Sequence, residues 1–110
     1  MRESSKRAAH RALAERVLAG DGRAPAELRA RAFGNEGLPA TLDALIGKVV
    51  AEPAQVTDAD FAAAQAAGFS EDQLFELVVC AAVGESARLY DAGLAALDEA
   101  ASDGQAGHAP

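Results

Sequence analysis

Three side chains in the last third of the chain, Glu76, Arg88 and Asp91, could share chemistry. In "FELVVCAAVGESARLYDAGLAAL", residues 75 to 97, Glu76 interrupts an apolar run, and Arg88, Tyr90 and Asp91 follow in a polar patch. At about 100° per residue, Glu76, Asp91 and Arg88 fall at roughly 0°, 60° and 120° around a helix, on one broad face. A carboxylate desolvated in such a run can hold a raised pKa and serve as an acid or base. Arg88 could hold an anion. Structural readings of the same residues stand beside these. Glu76 can mark a solvent-facing turn or pair with a base from the N-terminal segment. Arg88 and Asp91, three residues apart, can form an exposed ion pair worth only about 0.2–0.5 kcal/mol. Cys80 has Glu76 and Gly84 as its i±4 neighbours, so no base one turn away lowers its thiol pKa. It reads as a buried, inert thiol. The only histidines, His10 and His108, lie in the terminal segments. No metal-ligand spacing, phosphate loop or nucleophile–base pair is visible, so neither a metal nor a cofactor is expected.

The elements that would position these groups are helices. Residues 5 to 19 form a first helix with Ala9, Leu13 and Val17 as its apolar stripe, ended by "GDG". Pro25 opens a second, roughly 25 to 33, which Gly34 can close. Leu38 and Pro39 begin a third, with Leu42, Leu45, Ile46 and Val49 on one face, and Pro53 stops it. "VTDADF" carries a capping box, Thr57 with Asp60, and a Val56–Phe61 hydrophobic staple. That helix ends at Gly68. "GFSEDQL" repeats the device: Ser70 and Gln73 form the box, and Phe69 and Leu74 the staple. Glu71 and Asp72 suit the positive helix end. The last helix should run from 71 to about 99, with a bend available at Gly84, and its small residues Gly84, Ser86, Ala87 and Gly93 suit close helix packing or a subunit contact.

Composition agrees with an all-α fold. Half of the 110 residues are hydrophobic, but 29 are alanine, with four Phe, one Tyr and no Trp. Alanine is the best helix former and buries little area. So thin a core invites a partner subunit. The net charge of −7 is uneven: residues 1 to 31 carry +4 and the remainder −11. We read this as a basic arm that packs on an acidic body, in its own or a neighbouring subunit. An acidic body without aromatic interleaving in the arm speaks against nucleic acid. No apolar run reaches 18 residues and no apolar leader core opens the chain, so no membrane partner is expected and the location expected is cytoplasmic. The organisation expected is a basic helical arm at 1–22, a helical domain at 23–100 and a disordered tail at 101–110.

The segment "VTDADFAAAQAAGFSEDQLFELVVCAAVGESARLYDAGLAAL" resembles the alkylhydroperoxidase AhpD-like, or carboxymuconolactone decarboxylase-like, family. The likeness lies in a short helix, an "AAG-aromatic-SEDQ" turn and a long helix opening with "ELVV", and spans about residues 38 to 100. The resemblance implies an all-helical fold that assembles as trimers or higher multiples. Redox members carry a Glu, a Cys twelve residues on, a second Cys three further and a His four further, often with a Tyr before the second Cys. Glu76 and Tyr90 match that pattern, whereas Arg88, Asp91 and Ala95 stand where the two cysteines and the histidine belong. An Arg–Asp pair cannot attack peroxide or close a disulfide, which argues against peroxidase activity. The reading is an AhpD-like homo-oligomer, trimer or hexamer, that binds or supports without redox chemistry. Glu76, Arg88, Tyr90 and Asp91 are its candidate site face, and no catalytic residue is carried over. Two alternatives stand beside it. One is a decarboxylase-like enzyme for a small anionic metabolite, and the other is a helical protein-interaction module.

Overall fold

The computed structural model describes residues 5–107. It is all-α: α1 (Ser5–Ala19), α2 (Ala26–Gly34), α3 (Ala40–Ala51), a 3₁₀ turn (Pro53–Gln55), α4 (Asp58–Ala66) and α5 (Glu71–Gly107). Among the described residues there is no strand, and no helix is long and apolar enough to cross a membrane.

Local chemistry explains most boundaries. α2 and α3 each begin after a proline, Pro25 and Pro39, whose φ near −57° and −55° suits helix entry. α2 ends on Asn35 in the left-handed region, φ 51°. At the start of α4 the Asp60 carboxylate accepts the Thr57 N–H at 2.9 Å. It also takes Lys48 Nζ from α3 at 2.9 Å, so the cap doubles as a clamp between α3 and α4. At the start of α5 the box is reciprocal: Ser70 N–H donates to Gln73 Oε1 at 2.9 Å and Gln73 N–H to Ser70 Oγ at 3.1 Å. Gly68, at φ +109°, makes the turn between α4 and α5.

The core is small: Leu42, Leu45 and Ile46 of α3, Leu74, Leu77, Cys80 and Ala81 of α5, and Ala24, Ala32 and Ala64. Val56, Phe61 and Phe69, the staple residues, pack around it. α5 is the hub, packing on α2, α1, α3 and α4. Gly84 marks its closest approach to α2. A Cβ there would lie 2.8 Å from the Phe33 carbonyl carbon and 3.0 Å from Phe33 Cα, so only glycine admits this crossing. Gly84 is thus a close-packing position, within a helix that continues through it.

Two expectations change. α5 passes residue 99 and continues to Gly107; alanines recur there, no proline stands before residue 110, and a nucleated helix propagates easily. The expected tail, 101–110, therefore overlaps helix up to Gly107, and 108–110 lie outside the described residues. In α1, Ala9 and Leu13 are exposed, Leu13 by 47%. The inner face is His10, Ala14 and Val17, each half-buried. Alanines lie on both the exposed and the inward sides of this helix, Ala9 on one and Ala14 on the other, so apolar periodicity alone did not select the face. The basic arm also lies against α5 of its own chain. Beyond Asp91, α5 is exposed at nearly every position through Ser102. The radius of gyration is 17.7 Å, against about 13 Å for a compact chain of this length.

Candidate functional site

The loop from Gly20 to Pro25 needs a partner that its own sequence does not supply. α2 has no side-chain N-cap. Glu76, in the second turn of α5, instead holds the loop just before α2, from 52 and 53 residues away. Its carboxylate accepts the Arg23 N–H at 2.7 Å (Oε1) and 2.8 Å (Oε2), and the Ala24 N–H at 2.9 Å. Gln73, one turn earlier, donates Nε2 to Arg23 O at 3.3 Å. The backbone of residues 23–24 is thus held on both its donor and acceptor sides. Gly22 makes room, because a Cβ there would collide with Glu76 Oε1 and reach within 3.6 Å of Arg29 Nη1.

Arg29 is the only buried charged residue among those described, 8% exposed. Its Nη1 donates to Gly20 O at 2.6 Å and Val17 O at 3.3 Å, satisfying carbonyls at the C-terminus of α1. Its Nε has no hydrogen-bond partner among the described residues. The Cys80 thiol donates to Val17 O at 3.4 Å. Burial pushes this thiol above its ordinary pKa; the Arg29 charge opposes that and the Glu76 charge adds to it. A protonated, 2% exposed thiol is a poor nucleophile. A shallow cavity of about 190 Å³ opens here, lined by Arg16, Asp21, Arg29, Phe75, Glu76 and Cys80 among others.

The other candidate residues go elsewhere. Arg88 Nη1 donates to Phe33 O at 2.7 Å, closing the C-terminus of α2, and Nη2 pairs with Glu85 at 3.2 Å. The ion pair expected between Arg88 and Asp91 is therefore replaced by one a turn earlier. Phe33 O competes for the guanidinium and draws it toward α2. Tyr90 stacks on His10 of α1, ring centroids 4.2 Å apart and 16° from parallel. Asp91 and Tyr90 line a second hollow of about 220 Å³ with Arg7, His10 and Arg11.

Glu76, Arg88, Tyr90 and Asp91 thus attach to three parts of the fold: the α1–α2 loop, the end of α2, and α1. Glu76 lines one hollow, Tyr90 and Asp91 another, and Arg88 neither. No group of His, Cys, Asp and Glu among the described residues could hold a metal ion. Sequence reasoning missed Arg29, the close approach at Gly22 and the second role of Gln73. "GDGR" before Pro25 was the available signal, since Gly22 is needed there for close approach rather than only to stop α1. Comparison with protein-family models, with curated proteins and with solved structures returns no match for this chain.

Proposed function

We propose that this chain is an AhpD-like, or carboxymuconolactone decarboxylase-like, helical protein that works without redox chemistry, as a cytoplasmic homo-oligomer with a binding or supporting role. One observation carries the reading. The polar groups at the family's site positions are engaged in joining helices: Glu76 on the Arg23 and Ala24 N–H groups, Arg88 on Phe33 O, and Tyr90 on the His10 ring. The buried Cys80 thiol supports it. Large apolar side chains left at the surface, Phe75 at 69%, Leu89 at 65% and Leu97 at 66% exposed, support the oligomer, for which the resemblance implies a trimer or hexamer.

Two measurements test it together. Light scattering at micromolar concentration should give a multiple of 11.2 kDa. Peroxide consumption with a dithiol reductant should stay at background. A monomer mass, or turnover that Cys80→Ser abolishes, would overturn the corresponding half.

A second reading has one observation in its favour: Arg16 and Arg29 border the hollow beside Glu76. It makes the chain an enzyme for a small anionic metabolite. That reading requires Glu76→Gln to fold normally and lose an activity or a bound anion.

A further inference from the structure

Two uncovered surfaces of this chain complement each other. The first is a groove of about 530 Å³ between α4 and the opening turns of α5. Phe61, Leu74, Phe75 and Val78 form its apolar lining, and Asp58 and Glu71 its acidic rim. Phe75 is the most exposed large apolar side chain of the described residues. The second surface is the outer face of α1. Lys6, Ala9, Leu13 and Arg16 fall within about 80° of one another around that helix, and all four are exposed. The inner face, His10, Ala14 and Val17, is committed to α5, and this exposed stripe lies on its flank, centred about 90° round the helix from it.

We propose that the outer stripe of α1 docks in the α4–α5 groove of a second copy of the chain. The inference rests on the oligomeric reading above and names its interface. Leu13 is the apolar anchor for Phe75 and Phe61, and Lys6 and Arg16 meet the Asp58 and Glu71 rim. This use of the arm fits a chain divided into a +4 segment, residues 1 to 31, and a −11 remainder. Because two different patches meet, the contact is head-to-tail. Such contacts close into rings when the rotation allows, as in a trimer.

Sedimentation velocity on the full chain over a concentration series tests this. Leu13→Ser and Phe75→Ser remove exposed side chains and leave the core intact, which far-UV circular dichroism verifies. Each should raise the dissociation concentration by about tenfold or more. Arg16→Glu and Glu71→Lys should each weaken association, and the two combined in one chain should restore it. An oligomer whose dissociation is unmoved by all of these overturns the interface and leaves the oligomeric reading standing. A loss with Phe75→Ser but not with Leu13→Ser overturns the α1 assignment and gives the groove to another segment. A wild-type monomer throughout the series overturns both readings.

Discussion

The substitution Gly84→Ala sets helix propensity against packing, and the structure decides which wins. Alanine in a helix interior is favoured over glycine by about 1 kcal/mol. The new Cβ, however, meets backbone of α2: the Phe33 carbonyl carbon at 2.8 Å and Phe33 Cα at 3.0 Å, with the carbonyl oxygen closer still. A backbone segment cannot rotate away as a side-chain tip can. α2 must move off α5, its most extensive packing partner. Overpacking of this kind destabilises by about 1–3 kcal/mol. The shift also pulls Phe33 O from Arg88 Nη1, now at 2.7 Å, a charge-assisted bond worth about 1.5–3 kcal/mol. The net expectation is a loss of about 2–3 kcal/mol, or a fall of about 10–20 °C in Tm for a chain of this size. Gly93 supplies the control on the same helix. It is exposed, and a Cβ there meets no atom within 4 Å, so Gly93→Ala should raise Tm by up to about 4–8 °C. Thermal melts by circular dichroism at one fixed protein concentration compare the two. If both substitutions shift Tm in the same direction, the close crossing of α2 and α5 at Gly84 is wrong.

The remaining predictions concern single contacts. Glu76→Gln should lose about 1–2 kcal/mol, because its amide turns N–H groups toward backbone donors, and Glu76→Ala should lose somewhat more; urea titration of both measures the difference. Asp60 has its pKa lowered, chiefly by Lys48 and then by the Thr57 N–H. A depressed carboxylate stabilises fully above its unfolded value of 3.8 and loses that contribution as pH falls through the lower folded value. The acid side of the stability profile should therefore flatten in Lys48→Met, as melts from pH 5 to pH 2 would reveal. Cys80 should react slowly with a maleimide at pH 7 and rapidly in denaturing urea; equal rates would contradict its burial.

Where the chain carries explicit local signals, the fold was legible. Ser70 with Gln73, Thr57 with Asp60, and Pro39 each placed a helix start by chemistry confined to a few residues. The buried face of α3 was legible because Leu42, Leu45 and Ile46 contrast with Asp43 and Lys48 around them. α1 offers no such contrast, and of its expected stripe only Val17 packs inward, whereas Ala9 and Leu13 are exposed. Glu76 was correctly singled out as an acid in need of a partner, but its partners are backbone N–H groups. Those carry no residue-type signature, so a search for a matching base could not find them. Arg88 was assigned by helix spacing to Asp91, and spacing cannot foresee a carbonyl brought in by another helix.

The position of α5 after the helices that pack on it governs the order in which this fold can assemble during synthesis. α1 and α2 emerge from the ribosome before α5, the main packing partner they share. The α1–α2 loop stays without its carboxylate until residue 76 is added, and Phe33 O at the end of α2 stays without its guanidinium until residue 88. At about 5–20 residues per second, residues 71 to 88 take roughly one to four seconds to translate. For that interval the nascent chain holds helices with no scaffold, and an alanine-rich sequence leaves chaperones few large apolar side chains to grip. A stop codon or frameshift anywhere before residue 88 would thus leave a product in which α1 and α2 cannot both find their seats.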